Sequence, residues 1–260
     1  MLRNATNLLT KWNARKNRKP LIVWGARQVG KTYLVKDIFA EEYYSNAYIY
    51  IDFKIEDEIR DFCDHTANAE KIIEYICLYK GKDITKNTLL IFDEIQECPN
   101  IISSLKYFCQ DFREIPIIAT GSMVRIRLQR ELTRNGSLQK FMFPVGKIEQ
   151  LTIYPLSFDE FLLNSNEKLF NVTKKAYESR TPLNSSIHEL VLNEFYKYLL
   201  IGGMPEAVNT YFESNSFLES RRVLKDLYDN YLSDMELYQA SRESCLRSKN
   251  LFSNIYGQLN

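Results

Sequence analysis

The sequence predicts an α/β protein: a parallel β-sheet with helices on both faces, followed by a helical region. Three observations predict it. Short apolar runs at 20–24 (PLIVW), 47–53 (AYIYIDF), 88–92 (TLLIF), 116–119 (PIIA) and 149–154 (EQLTIY) alternate with amphipathic stretches at about 31–43, 56–80 and 101–112. The 260 residues are 45% hydrophobic and 26% charged, an ordinary globular composition with room for one large domain or two small ones. After Tyr154 the pattern changes: Pro155 stops the last strand, FDEFL starts a helix, and 188–260 reads as helical, broken by Gly202, Gly203 and Pro205. The boundary is placed near 160, with a sheet domain at 1–160 and a helical lid region at 161–260.

The elements follow in order. Leu2, Leu8, Leu9 and Trp12 lie near helical spacing and lead directly into the first strand, so the N-terminus reads as a packed helix. Its six basic residues and lack of acid before residue 21 resemble a transit peptide in charge only. The acidic stretch IEDEIRDFCD at 55–64 reads as a helix surface. Residues 164–187 are polar and weakly periodic, and read as a loop or a lightly ordered insertion. DLYDNYLSDMELY and NLFSNIYGQLN, near the end, are amphipathic.

Composition also excludes function classes. A formal net charge of +1 implies no polyanion partner for the chain as a whole. The five cysteines (Cys63, Cys77, Cys98, Cys109, Cys245) are odd in number and scattered, which fits a reducing, cytoplasmic setting better than a disulfide framework. Cys63 and His65 are not at a usual zinc-ligand spacing. No run of 18 apolar residues is present to span a membrane, and the N-terminus lacks the apolar core of a signal peptide.

The chemistry starts at LIVWGARQVGKTYLV, where an apolar strand runs into G-x-x-x-x-G-K-T. Glycines let the backbone curl so that successive amides point inward, and the dipole of the helix that begins at about Lys31 favours an anion. Gly25, Ala26, Arg27, Gln28, Val29, Gly30, Lys31, Thr32 and Tyr33 are the expected phosphate-binding residues. Lys31 would reach the β- and γ-phosphates, and the Thr32 hydroxyl would ligate Mg²⁺. A random chain of this length shows the pattern roughly once in a hundred, so its placement between a strand and a helix makes coincidence a poor explanation.

A second strand, TLLIF, ends in Asp93 and Glu94. Ligands of parallel sheets sit beyond the carboxyl ends of the strands, which brings both acids toward the phosphates. Asp93 would hold Mg²⁺, and Glu94 would orient and deprotonate a water. Taken alone, such a pair is more often a helix cap. A third strand ends in ATGSM, where a hydroxyl of Thr120 or Ser122 would hold the water between Glu94 and the γ-phosphate; an ordinary turn is the alternative. Between 125 and 147, Arg125, Arg127, Arg130, Arg134, Lys140 and Lys147 face a single acid, Glu131. The stretch would serve as a solvated helix and loop, a source of an arginine finger, or a contact to nucleic acid.

GARQVGKT, LLIFDEIQECPN, ATGSM, FPVGKIEQLTIYPLSFDEF and LIGGMPEAV, in this order, resemble the AAA+-related P-loop ATPases of bacteria and archaea, over nearly the whole chain. The resemblance implies ATP and Mg²⁺ as cofactors, ATP hydrolysis as a switch or motor, and the strand order 5-1-4-3-2. It also implies that a G-x-P motif, here Gly203 and Pro205, contacts adenine. A proline ring can stack on a base, while Gly-Gly-x-Pro is equally a helix stop. In similar proteins the chain continues into a C-terminal domain of uncharacterised fold, so a further domain, a DNA or protein partner bound through it, and oligomerisation are all open. Two rivals stand beside the ATPase reading. A small-molecule kinase would use the same loop but needs no base for water, so Glu94 argues against it. A nucleotide-gated scaffold or DNA-binding regulator would show little turnover, which the presence of Lys31, Asp93 and Glu94 disfavours. No N-K-x-D segment points to GTP.

Overall fold

The computed structural model describes residues 1–122, 144–237 and 242–258. Among these, 3–122 and 144–154 form one compact unit, built on a sheet, and 1–2, 155–237 and 242–258 form a second, helical one.

The sheet unit opens with α1 (Asn4–Asn13), which buries Leu9 and Trp12 and leaves Leu8 exposed. Five parallel strands follow: β1 (Leu21–Gly25), β2 (Tyr48–Asp52), β3 (Leu89–Asp93), β4 (Ile117–Gly121) and β5 (Glu149–Ile153). Their order is β2-β3-β4-β1-β5, the 5-1-4-3-2 order expected, read from the opposite edge. β1 lies between β4 and β5, while the chain leaving it crosses to the far edge to form β2. The crevice at such a topological switch point, at the carboxyl end of β1, is where open α/β sheets bind ligands.

The helix after β1, α2, is wound as a π-helix over Tyr33–Ala40 and ends as an α-helix over Glu41–Tyr43. The stretch 56–80 is two helices rather than one, α3 (Asp57–Asp64) and α4 (Ala69–Lys80). The break has a local cause: the Asn68 side chain accepts the Lys71 amide and caps a new helix. α5 (Pro99–Asp111) carries proline in its first turn, where its missing N–H costs nothing.

Strand periodicity sorts the side chains between two faces. Ile22, Trp24, Ile49, Ile51, Leu90, Phe92, Ile117 and Ala119 enter a core with Ile59, Ile72, Ile76, Ile101 and Phe108 from α3, α4 and α5. The residues between them, including Val23, Tyr50, Asp93 and Thr120, therefore face the other side. α2 lies on that side: Thr32, just before it, bonds Asp93, and Lys36 lies 4.6 Å from the Tyr50 ring centre.

In the second unit, α6 (Phe158–Ser165) begins with a full capping box between Ser157 and Glu160. The segment 164–187, read from sequence as a loop, is mostly helical: α7 spans Glu167–Ser179 and α8 spans Ser185–Ile201. Asn166 and Asn184 cap them, each accepting a backbone amide three residues on. The periodic signal was weak because α7 buries only Leu169 fully. α9 (Pro205–Ser214), α10 (Phe217–Leu237) and α11 (Arg242–Gln258) complete the unit. Leu156, Phe161, Ile201, Val208 and Tyr211 form its core. Gly203 is required where α8 turns into α9: an added Cβ would run into the Leu156 carbonyl, and the Leu156 amide bonds the Gly203 carbonyl at 2.6 Å.

Candidate active site

At the end of β1, a Cβ on Gly25 would lie 2.6 Å from the Ile153 carbonyl oxygen and 2.9 Å from Val29 Cγ2, so only glycine lets the loop leave the sheet here. The loop then alternates in hand, with φ of 64° at Gln28 and 85° at Gly30. Such alternation makes backbone concavities that bind anions. Lys31 is nearly buried beneath the loop, and its Nζ donates to the carbonyls of Gly25 (3.2 Å) and Ala26 (2.8 Å). Burial pushes the Lys31 ammonium below the ordinary lysine range, while the charges of Glu94 and then Asp93 pull it back up.

Asp93, at the end of β3, is the hub. Thr32 Oγ1 and Tyr50 OH both donate to its Oδ2 at 2.7 Å. The Glu94 amide donates to Oδ1 at 2.9 Å, and the Thr120 hydroxyl donates to the same oxygen. Asp93 and Thr120 are buried. Four donors on one carboxylate satisfy it fully and make a buried anion tolerable. Burial, reinforced by the Asp93 charge and hydrogen bond, drives the Tyr50 phenol far above its ordinary value and keeps it a donor.

Glu94 follows in left-handed backbone, φ 52°, which turns it out of the strand. Gln96 Nε2 donates to its carboxylate, and Gln96 Oε1 accepts the Ser122 amide at 3.1 Å. A fully buried Gln96 thus joins the ends of β3 and β4. Gly121 leaves room for it, since a Cβ there would lie 2.9 Å from Gln96 Oε1.

Gly25 through Tyr33, Asp93, Glu94, Thr120 and Ser122 therefore lie at the carboxyl ends of β1, β3 and β4 in one unit. The Thr120 hydroxyl donates to Asp93, and the Ser122 amide donates to Gln96. Pro205 lies in the helical unit, at the first position of α9. Lys147 sits in the turn before β5, its amide bonding the Pro144 carbonyl at 3.1 Å. Arg125, Arg127, Arg130, Arg134 and Lys140 lie outside the described residues. Sequence reasoning missed Tyr50 and Gln96. Gln96 had a signal, two residues beyond Glu94. Tyr50 had none until strand register was known: it lies level with Ile91, one pleat from Asp93.

The donor set suits Mg²⁺. One hydroxyl and one carboxylate, 2.7 Å apart beside a phosphate loop, are hard oxygen ligands for an ion that takes its remaining ligands from phosphate and water. Among the described residues no group of three or more His, Cys, Asp or Glu is placed to hold a metal, and a site of this kind needs none. All five cysteines are free thiols. No described helix is long and apolar enough to cross a membrane.

A phosphate loop after β1, a carboxylate at the end of β3 and β4 inserted between them define the fold of a P-loop ATPase of the AAA type. Residues 17–162, more than half of the chain, match the family described as the AAA domain, and the chain belongs to it. Among solved structures it resembles a Walker-type ATPase of Pyrococcus abyssi at TM-score 0.50 and 17% identity, over 89% of this chain and 74% of that one. AMPPCP-bound DnaA from Aquifex aeolicus is similar at TM-score 0.43 and 13% identity, over 96% of this chain and 76% of that one. PCH-2 of C. elegans is similar at TM-score 0.40 and 13% identity, over 82% and 61%. At these identities the likeness is one of fold. A search of curated proteins gives no significant match.

Proposed function

We propose that this chain binds ATP with Mg²⁺ and hydrolyses it, using the cycle as a switch or motor. The observation that supports the reading best is the contact of Thr32 with Asp93, 61 residues apart in sequence. It joins the phosphate loop to the acid strand at the switch point of the sheet. Residues Gly25–Tyr33 hold the triphosphate. Lys31, now bonded to loop carbonyls, exchanges them for phosphate oxygens and neutralises their charge. Thr32 and Asp93 would hold Mg²⁺, which would supply neutralisation of phosphate charge. Glu94 takes the proton from the attacking water, and Gln96 fixes the direction of its carboxylate.

Equilibrium ATP binding and steady-state turnover of the parent, Lys31→Ala and Glu94→Gln, each with and without DNA, test this. Lys31→Ala should lose nucleotide binding. Glu94→Gln should bind ATP·Mg²⁺ as the parent does and hydrolyse it roughly 10²–10⁴ times more slowly. Turnover of Glu94→Gln within threefold of the parent would remove Glu94 as the base. A parent that binds ATP without turning it over would favour the nucleotide-gated scaffold.

A further inference from the structure

We propose that Tyr50 is a positioning residue for the Mg²⁺ site: its hydroxyl, from edge strand β2, shares Asp93 Oδ2 with Thr32 and holds that carboxylate in place as the metal binds. The inference deepens the ATPase reading and rests on the assignment of Asp93 and Thr32 to Mg²⁺.

Oδ2 of Asp93 has two hydroxyl donors at the same 2.7 Å, from Thr32 and from Tyr50. They differ in what they can do next. A Thr32 oxygen can give a lone pair to the cation while its hydrogen stays on Asp93, so its position then follows the metal, whereas the Tyr50 hydroxyl stands outside the metal's ligand set. Tyr50 lies on the opposite side of the carboxylate from the phosphate loop along the sheet, carried by β2 beyond β3. Its strand pairs it with Ile91, and Lys36 of α2 lies over its ring at 4.6 Å. The other carboxylate oxygen is held by Thr120 and by the Glu94 amide. With Tyr50 present, Oδ2 has a donor whose position does not depend on the metal. Without it, Oδ2 keeps Thr32 of its two hydroxyl donors, and its position follows the metal-bound threonine.

A half-buried tyrosine on an edge strand often needs no role beyond covering a sheet face, and such a role predicts a different result. Removing only the hydroxyl leaves the ring and its packing intact. An outer partner that orients a metal ligand typically changes metal affinity by about 10–100-fold. The test is the Mg²⁺ concentration that half-saturates the tight binding of a fluorescent ATP analogue, for the parent, Tyr50→Phe and Asp93→Asn. The affinity of the same analogue in EDTA is measured alongside. Tyr50→Phe should raise the half-saturating Mg²⁺ roughly 10-fold, the lower end of that range, and leave the metal-free affinity within about twofold. Three outcomes overturn it. Half-saturation unchanged in Tyr50→Phe but raised in Asp93→Asn removes Tyr50 alone and leaves the metal assignment standing. Half-saturation unchanged in both variants removes Asp93 from the metal site and Tyr50 with it. Equal losses with Mg²⁺ and in EDTA would show that the hydroxyl only supports the fold of the loop.

Discussion

Thr120→Val tests whether the carboxylate at the heart of the site is held from β4. Thr120 is fully buried and Asp93 nearly so, and the threonine hydroxyl donates to Asp93 Oδ1. Valine has the same branched shape, so neither a cavity nor overcrowding arises. What goes is one hydrogen bond to an ionised acceptor, worth about 1.5–3 kcal/mol. Set against this is the relief of no longer burying a hydroxyl, on the order of 1 kcal/mol. The net expectation is a loss of about 1–2 kcal/mol in nucleotide-free protein, or roughly 2–8 °C in melting temperature for a domain of this size. Both tryptophans, Trp12 and Trp24, are buried in the sheet unit. Urea unfolding followed by tryptophan fluorescence in EDTA therefore reports on the unit that holds the site. The bare loss is less telling than its coupling to the partner. In a double-mutant cycle with Asp93→Asn the interaction energy should reach about 1 kcal/mol or more. Losses that simply add, within about 0.4 kcal/mol, would refute the reasoning, because the valine effect would then come from something other than Asp93.

Two other predictions concern charge and packing. Burial, and then the nearby charges of Asp93, Glu94 and Glu56, raise the Asp52 carboxyl above its ordinary 3.8. A raised folded value means that the ionised form is disfavoured, so the parent is penalised above that value and relieved below the ordinary one. Asp52→Asn keeps an acceptor for the Lys54 amide, 2.9 Å away, and should melt about 1–2 °C higher at neutral pH, with the gain closing as the pH falls toward about 4. A gain that does not change with pH would contradict the electrostatic account. Gly203→Ala forces a Cβ onto the Leu156 backbone, where no flexible side chain can yield, and should destabilise the helical unit by at least ~1–3 kcal/mol. Thermal melting by circular dichroism checks this, and a melt matching the parent would show that the turn between α8 and α9 relaxes freely.

The sequence by itself determined the strands of the sheet to within a residue or two. An apolar run cannot be mistaken for a surface segment when a glycine turn and G-K-T follow it, and β1 ends where that run ends, at Gly25. Asp93 was legible for the same reason, as the first charge after five buried residues from Thr88 to Phe92. The break between α3 and α4 and the helix α7 were not, because they depend on single caps and on few buried side chains, which leave little periodicity to read. Only the tertiary structure decided who holds Asp93. Thr120 reads from sequence as a partner for water near Glu94, yet its hydroxyl meets Asp93. Tyr50 carries no motif at all. Its contact with Asp93 depends on the register that sets Tyr50 beside Ile91 and Asp52 beside Asp93, and on α2 lying across that face. Register fixes which side chains of neighbouring strands meet, and it comes from packing the whole sheet rather than from any stretch of chain within it.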